Sequence, residues 1–188
     1  MLKSACISVA LFLFAALANA QVPTSGNVFF GYSFENTNSS TLDLNLNRAN
    51  LQGWEASLEG KLVPLLGIVA DFSGHYGSQS FVDITPAGPV NLKVTGHEWE
   101  VLFGPRLSIP VGKLTPFGEV MAGVAHINTG GTVPSPSNTS FATAIGGGTD
   151  YRVFRPLAFR LEGDYLRTSF FNTSQNNVRL STGIVLRF

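Results

Sequence analysis

The chain has 188 residues, with 12 Lys or Arg against 12 Asp or Glu, 13% charged residues in all and 44% hydrophobic ones. Zero formal net charge leaves no basic footprint for a phosphate backbone, and no stretch sets clustered Lys/Arg among stacking aromatics, so nucleic acid is excluded as a partner. The single cysteine, Cys6, lies within the first twenty residues, so the remainder has no disulfide and no thiolate metal ligand.

In chain order, the first element is a leader. Lys3 precedes an apolar run from about Ala5 to Leu17, and Ala18-Asn19-Ala20 sets small residues at alternate positions, as a signal peptidase requires. The run is shorter than a membrane span and no basic cluster follows it. Residues 1–20 are therefore expected to be a cleaved signal peptide and 21–188 a single domain. No later apolar run approaches a transmembrane helix, so a membrane role would have to come from strands.

Period-two alternation, the mark of a strand with one wet and one greasy face, then recurs eight times. Val28, Phe30, Tyr32 and Phe34 alternate with Asn27, Gly31, Ser33 and Glu35. Trp54, Ala56, Leu58, Gly60 and Leu62 oppose Glu55, Ser57, Glu59 and Lys61, and Leu66, Ile68, Ala70 and Phe72 oppose Gly67, Asp71, Ser73 and His75. From about Val94 to Ser108, His97, Trp99, Val101, Phe103 and Leu107 oppose Glu98, Glu100, Gly104 and Arg106. Between about Thr115 and Ile127, Val120, Ala122 and Val124 share a face, while Phe117 and Met121 fall on the side of Glu119. Phe141, Ile145 and Tyr151 oppose Ala142, Ala144, Gly146, Gly148 and Asp150. Leu157, Phe159, Leu161 and Tyr165 oppose Arg160, Glu162 and Asp164. Last, Val178, Leu180, Thr182, Ile184, Leu186 and Phe188 oppose Arg179, Ser181, Gly183 and Arg187.

Polar segments at about 36–50, 77–93, 128–140 and 169–177 read as long solvated loops, alternating with short turns at Val63-Pro64, 109–114 and 152–156. Membrane barrels show this alternation, with long loops outside the cell and short turns in the periplasm.

Apart from Asp43 and Asp83, which fall in the loops, every acid after the leader takes the polar face. A soluble lipocalin-like carrier would turn that face to water and the apolar one around a ligand. Three features favour the inverse. Tyr32, Trp54, Tyr76, Trp99 and Tyr165 share the apolar face near the long-loop ends and would form an aromatic girdle at one membrane interface. The chain stops at Phe188 on that face. It also lacks the Lys and Glu density of a soluble barrel surface. The expected fold is all-β: an eight-stranded antiparallel up-and-down transmembrane β-barrel with a polar lumen.

Arg160-Leu-Glu-Gly-Asp-Tyr165, the ending Arg179 to Phe188, Phe103-Gly-Pro-Arg106 and Pro116-Phe-Gly-Glu119 resemble the OmpA/OmpX-like β-barrel family of bacterial outer membranes. The resemblance implies outer-membrane lipid and lipopolysaccharide as surroundings, and Phe188 as the signal read by the barrel-assembly machinery. It does not carry over cell-wall tethering.

An eight-stranded barrel has an interior that side chains just fill. Glu55, Glu59, Lys61, Asp71, Glu98, Glu100, Arg106, Glu119, Asp150, Arg160, Glu162, Asp164, Arg179 and Arg187 should therefore form a mutually paired lumen network, since an unpaired buried ion is costly. Glu35, Glu55, Glu98, Glu100 and Asp164 crowd the long-loop half with only Arg179 beside them, which would suit a narrow cation-favouring pore. Lipid A chemistry would need a His, a hydroxyl and a carboxylate at the interface. His126 lies at the right height, but the expected hydroxyl position holds Asn128. His75 and His97 fall on opposite faces, so neither a shared metal site nor a cofactor is expected. Gly146-Gly147-Gly148 lacks the Lys-Ser/Thr of a phosphate loop and reads as room for a bulky neighbour. The leading reading is a non-enzymatic, monomeric barrel whose loops meet an extracellular ligand; the alternatives are the pore, the lipid A enzyme and the secreted carrier.

Overall fold

The computed structural model describes residues 25–37, 49–85, 88–131, 137–170 and 173–188; the leader expected at 1–20 lies outside them. Among the described residues all regular structure is strand: β1 (Gly26–Thr37), β2 (Ala49–Lys61), β3 (Leu66–Thr85), β4 (Gly88–Ser108), β5 (Leu114–Gly131), β6 (Ser137–Phe154), β7 (Leu157–Phe170) and β8 (Thr173–Arg187). Each pairs antiparallel with its sequence neighbours, and β8 closes on β1. At the seam, Gly26 and Phe188 exchange two backbone hydrogen bonds of 2.9 and 3.1 Å. Among the described strands no sheet edge is left unpaired.

One row of paired Cα atoms defines the barrel's stagger. It runs from Tyr32 through Trp54, Gly74, Trp99 and His126 to Thr139 on β6. Followed the other way, it passes Thr182 and Leu161 and meets β6 at Thr149. The two arrivals are ten residues apart on the same strand, a shear that tilts eight strands by about 40° from the barrel axis. At that tilt, about ten residues per strand cross a hydrocarbon core.

The facing follows the pleat. Phe30, Leu180 and Ile184 are 64%, 55% and 53% exposed, whereas Arg106, Arg160 and Arg179 are each 0% exposed. A band of large apolar side chains therefore covers the outside and ionised groups fill the axis, the inverse of a soluble barrel, which overturns the carrier alternative. Phe117 and Met121 do point inward with Glu119. The lumen is also less polar than the alternation suggests. Val69, Leu102, Met121, Ala125, Ala142, Ala144 and Leu166 form one apolar cluster inside it, and Phe29, Ala158 and Val185 form another.

The polar segments at 77–93, 128–140 and 169–177 are mostly not loops. β3 and β4 stay paired from Gly77↔Gly96 out to Thr85↔Gly88, which puts Asp83 on a strand, opposite Val90. β5 and β6 leave only 132–136 between them, and β7 and β8 only 171–172. Past the bilayer both faces of a ribbon meet water, so the alternation that marks a strand disappears while the backbone ladder continues. The turns at the other end are short. Between β4 and β5, Val111 and Leu114 exchange hydrogen bonds of 2.7 and 3.0 Å around Gly112, whose φ of +63° suits a residue without Cβ.

Candidate functional site

The lumen charges divide into two groups along the axis. In the half nearer the short turns, Arg106 donates from Nε to Glu119 at 2.5 Å and lies 3.4 Å from Glu162 and 3.7 Å from Glu59. Arg160 donates from Nε and Nη2 to the two oxygens of Asp150 at 2.7 and 3.2 Å, and from Nη1 to Glu162 at 3.4 Å. Both guanidinium groups stack on Phe117, at 4.3 and 4.6 Å from its ring centre, and Arg160 also lies 5.0 Å from that of Phe29. Lys61 pairs with Glu59 and donates to Ser108 at 2.9 Å. Arg187 reaches Asp150 at 3.2 Å. Glu59, Glu119, Asp150 and Glu162 are thus matched one for one by Lys61, Arg106, Arg160 and Arg187.

The long-loop half is different. Arg179 alone serves several carboxylates: Nε and Nη2 donate to Asp164 at 3.0 and 2.8 Å, and Nη1 to Asp71 at 2.8 Å, with Glu55 at 3.4 Å and Glu100 at 3.7 Å. Glu35 and Glu98 lie beyond it, buried with the rest. Glu35 accepts from Asn177 Nδ2 at 2.8 Å, and His75 Nδ1 is 3.2 Å from its other oxygen. Among the described residues this half sets Glu35, Glu55, Asp71, Glu98, Glu100 and Asp164 against one guanidinium. Oxygens of all six, together with His75 Nδ1, have no hydrogen-bond partner.

Three of the pairs are direct cross-strand neighbours: Arg106↔Glu119, Asp150↔Arg160 and Asp164↔Arg179. The hairpins alone place them together. Phe117 and His75 were not among the expected network residues, although their position on the lumen parity was the available signal. A Cβ on Gly148 would lie 2.9 Å from Phe117 Cζ, so the small residues of β6 make room for that ring.

The girdle residues Tyr32, Trp54, Tyr76, Trp99 and Tyr165 all face outward. Tyr32, Trp54 and Trp99 share the single row traced above, and Tyr76 meets His97 edge-on at 5.2 Å. At the opposite rim Tyr151, Phe154 and Phe188 are exposed. His126 stacks on Trp99 at 5.2 Å, and its Nδ1 lies 2.6 Å from Thr139 Oγ1. The hydroxyl sought at position 128 is thus supplied by β6, but the lumen carboxylates are on the other face of the sheet.

No protein-family model and no curated protein matches the chain. Among solved structures it is similar to Neisserial surface protein A (NspA), with a TM-score of 0.64 and 14% identity over 87% of this chain and 97% of that one. It is also similar to Ail, the attachment invasion locus protein of Yersinia pestis, solved with the heparin analogue sucrose octasulfate, with a TM-score of 0.56 and 15% identity over 87% of this chain and 98% of that one. At these identities the likeness is one of fold, the closed eight-stranded antiparallel barrel of outer-membrane proteins.

Proposed function

We propose that the chain is a non-enzymatic outer-membrane surface protein, a rigid barrel that holds a β-ribbon outside the cell to meet an extracellular ligand. The observation that carries this reading is the β3–β4 ribbon, which stays paired from Tyr76 in the girdle to Thr85, nine residues further on. At about 3.3 Å per residue that is roughly 30 Å of paired backbone past the interface. The lumen beneath it is filled, because the guanidinium groups of Arg106, Arg160 and Arg179 are wholly buried. A filled barrel suits a support better than a conduit.

In this reading the apolar band sits among outer-membrane lipid and lipopolysaccharide, the leader directs export, Phe188 addresses the assembly machinery, and the closed sheet is monomeric. Ail's heparin analogue makes polyanions the first ligand class to try. The test replaces Gln79–Val94 with a two-residue turn and compares the two proteins, displayed on cells, for binding to sucrose octasulfate, lipopolysaccharide and epithelial monolayers. The truncated barrel should keep heat-modifiable gel mobility and lose binding to at least one of these. Equal binding by both proteins would remove the ribbon from the function.

A further inference from the structure

We propose that Glu35, His75 and Glu100 form a binding site for a divalent transition-metal ion in the long-loop half of the lumen. One donor atom from each, two carboxylate oxygens and an imidazole nitrogen, lies within 4.8 Å of the others. All three residues are at most 1% exposed, and Glu98, directly opposite His75 across β3–β4, adds a third buried carboxylate beside them.

With Glu55 ionised, the hydrogen-bond partners of His75 set which nitrogen is bare. Nε2 lies 2.9 Å from Ser33 Oγ, Ser33 Oγ lies 2.9 Å from Ser181 Oγ, and Ser181 is hydrogen-bonded to Glu55. A carboxylate only accepts, and each serine has one proton to give. Ser181 therefore donates to Glu55, Ser33 to Ser181, and the imidazole Nε2–H to Ser33. Nδ1 is left with a lone pair 3.2 Å from Glu35 Oε2, and neither atom has a hydrogen bond. Two lone pairs at that distance repel unless a proton or a metal ion lies between them. Donors of a metal bound at about 2.1 Å stand roughly 3 to 3.5 Å apart, so the Glu35–His75 pair already has the required span. The hydroxyl chain to Glu55 is the outer-shell support that orients a ligating imidazole.

Charge points the same way. The half of the lumen near the turns is balanced, and the second convergence of carboxylates, Glu119 and Glu162 with Asp164 at the border of the two halves, is bonded to Arg106, Arg160 and Arg179. Among the described residues of the long-loop half, Arg179 stands alone against six buried carboxylates, and Glu35 Oε2, Glu98 Oε1 and Glu100 Oε1 have no hydrogen-bond partner. A mixed imidazole and carboxylate donor set favours ions such as Zn²⁺ or Mn²⁺ over Ca²⁺, which prefers an all-oxygen shell.

The test titrates ZnCl₂ alone into the purified, chelator-treated barrel by calorimetry. The wild type should bind one ion, and His75→Asn and Glu35→Gln should each weaken binding by more than about tenfold. Ser33→Ala, which removes the proton acceptor that sets the tautomer, should weaken it by about ten- to a hundredfold. His97→Asn, on the outer face, should bind as the wild type does. Should these variants fail to fold, MnCl₂ added to the wild type should broaden the NMR signals of the His75 ring ahead of those of His97 and His126. Absence of saturable Zn²⁺ binding, or binding unchanged in a folded His75→Asn, would overturn the proposal, as would Mn²⁺ broadening confined to the outer-face histidines.

Discussion

Arg179 and Asp164 face each other directly across the β7–β8 ladder, and the guanidinium gives both Nε and Nη2 to the same oxygen, Asp164 Oδ2, at 3.0 and 2.8 Å. The same side chain bonds Asp71 on the far wall and reaches Glu55 and Glu100. It is the one described cation in its half of the lumen. Arg179→Leu should therefore destabilise the barrel by about 3 to 5 kcal/mol, because it strands several buried carboxylates at once. Asp164→Asn should cost less, since Arg179 keeps Asp71. Urea unfolding of the protein in phospholipid vesicles measures both, and equal effects of the two variants would contradict this division of labour.

The same residue reaches across the lumen, bonding Asp164 on β7 and Asp71 on β3. Wild-type protein in planar bilayers should show no steady conductance at low voltage, since the side chains of Arg106, Arg160 and Arg179 are wholly buried within the lumen. Arg179→Ser should open brief, cation-preferring currents, because the carboxylates it served remain. Steady wild-type current would restore the pore reading.

Phe117 is sandwiched by charge, with Arg106 and Arg160 on its ring at 4.3 and 4.6 Å. Phe117→Leu keeps an apolar side chain but removes both cation–π contacts, each worth about 0.5 to 2 kcal/mol. The expected loss is about 2 to 3 kcal/mol in the same unfolding assay, with far-UV circular dichroism unchanged.

On the outside, Ile184 is paired with Phe30 and Phe159, midway between Phe188 at one rim and Val178 beside Tyr165 at the other. Ile184→Arg should cost about 2 to 4 kcal/mol, the range for a cation at the bilayer midplane. Arg167, exposed on β7 beyond the girdle, should tolerate Ala with little change. Comparable costs at the two positions would mean that no lipid band exists.

How far the fold could be read from the residues depends on contrast between the faces. Where lipid and lumen oppose each other, as at Leu180 against Arg179, parity alone gives facing. Hairpin counting then gives direct pairs such as Arg106 with Glu119. Two signals were lost for physical reasons. Val69, Leu102 and Leu166 point inward although apolar, because the lumen also holds an apolar cluster contributed by β3 to β7. The β3–β4 ribbon hid because serine, asparagine and glycine beyond the bilayer carry loop chemistry in a paired backbone. The hydroxyl chain from His75 through Ser33 and Ser181 to Glu55 draws on β3, β1, β8 and β2, and it exists only once β8 has closed on β1.

The central claim is that the apolar stripe of every strand meets hydrocarbon while the ionised groups face the axis. The most direct measurement places nitroxide labels at single introduced cysteines in lipid-reconstituted protein, as Leu58→Cys, Ile68→Cys and Ile184→Cys outside and Ser57→Cys and Ser73→Cys inside. Relaxation by dissolved oxygen should dominate at the first three, and both inner labels should be shielded from it. Outer labels relaxed chiefly by a water-soluble nickel chelate would place that stripe in water and contradict the account.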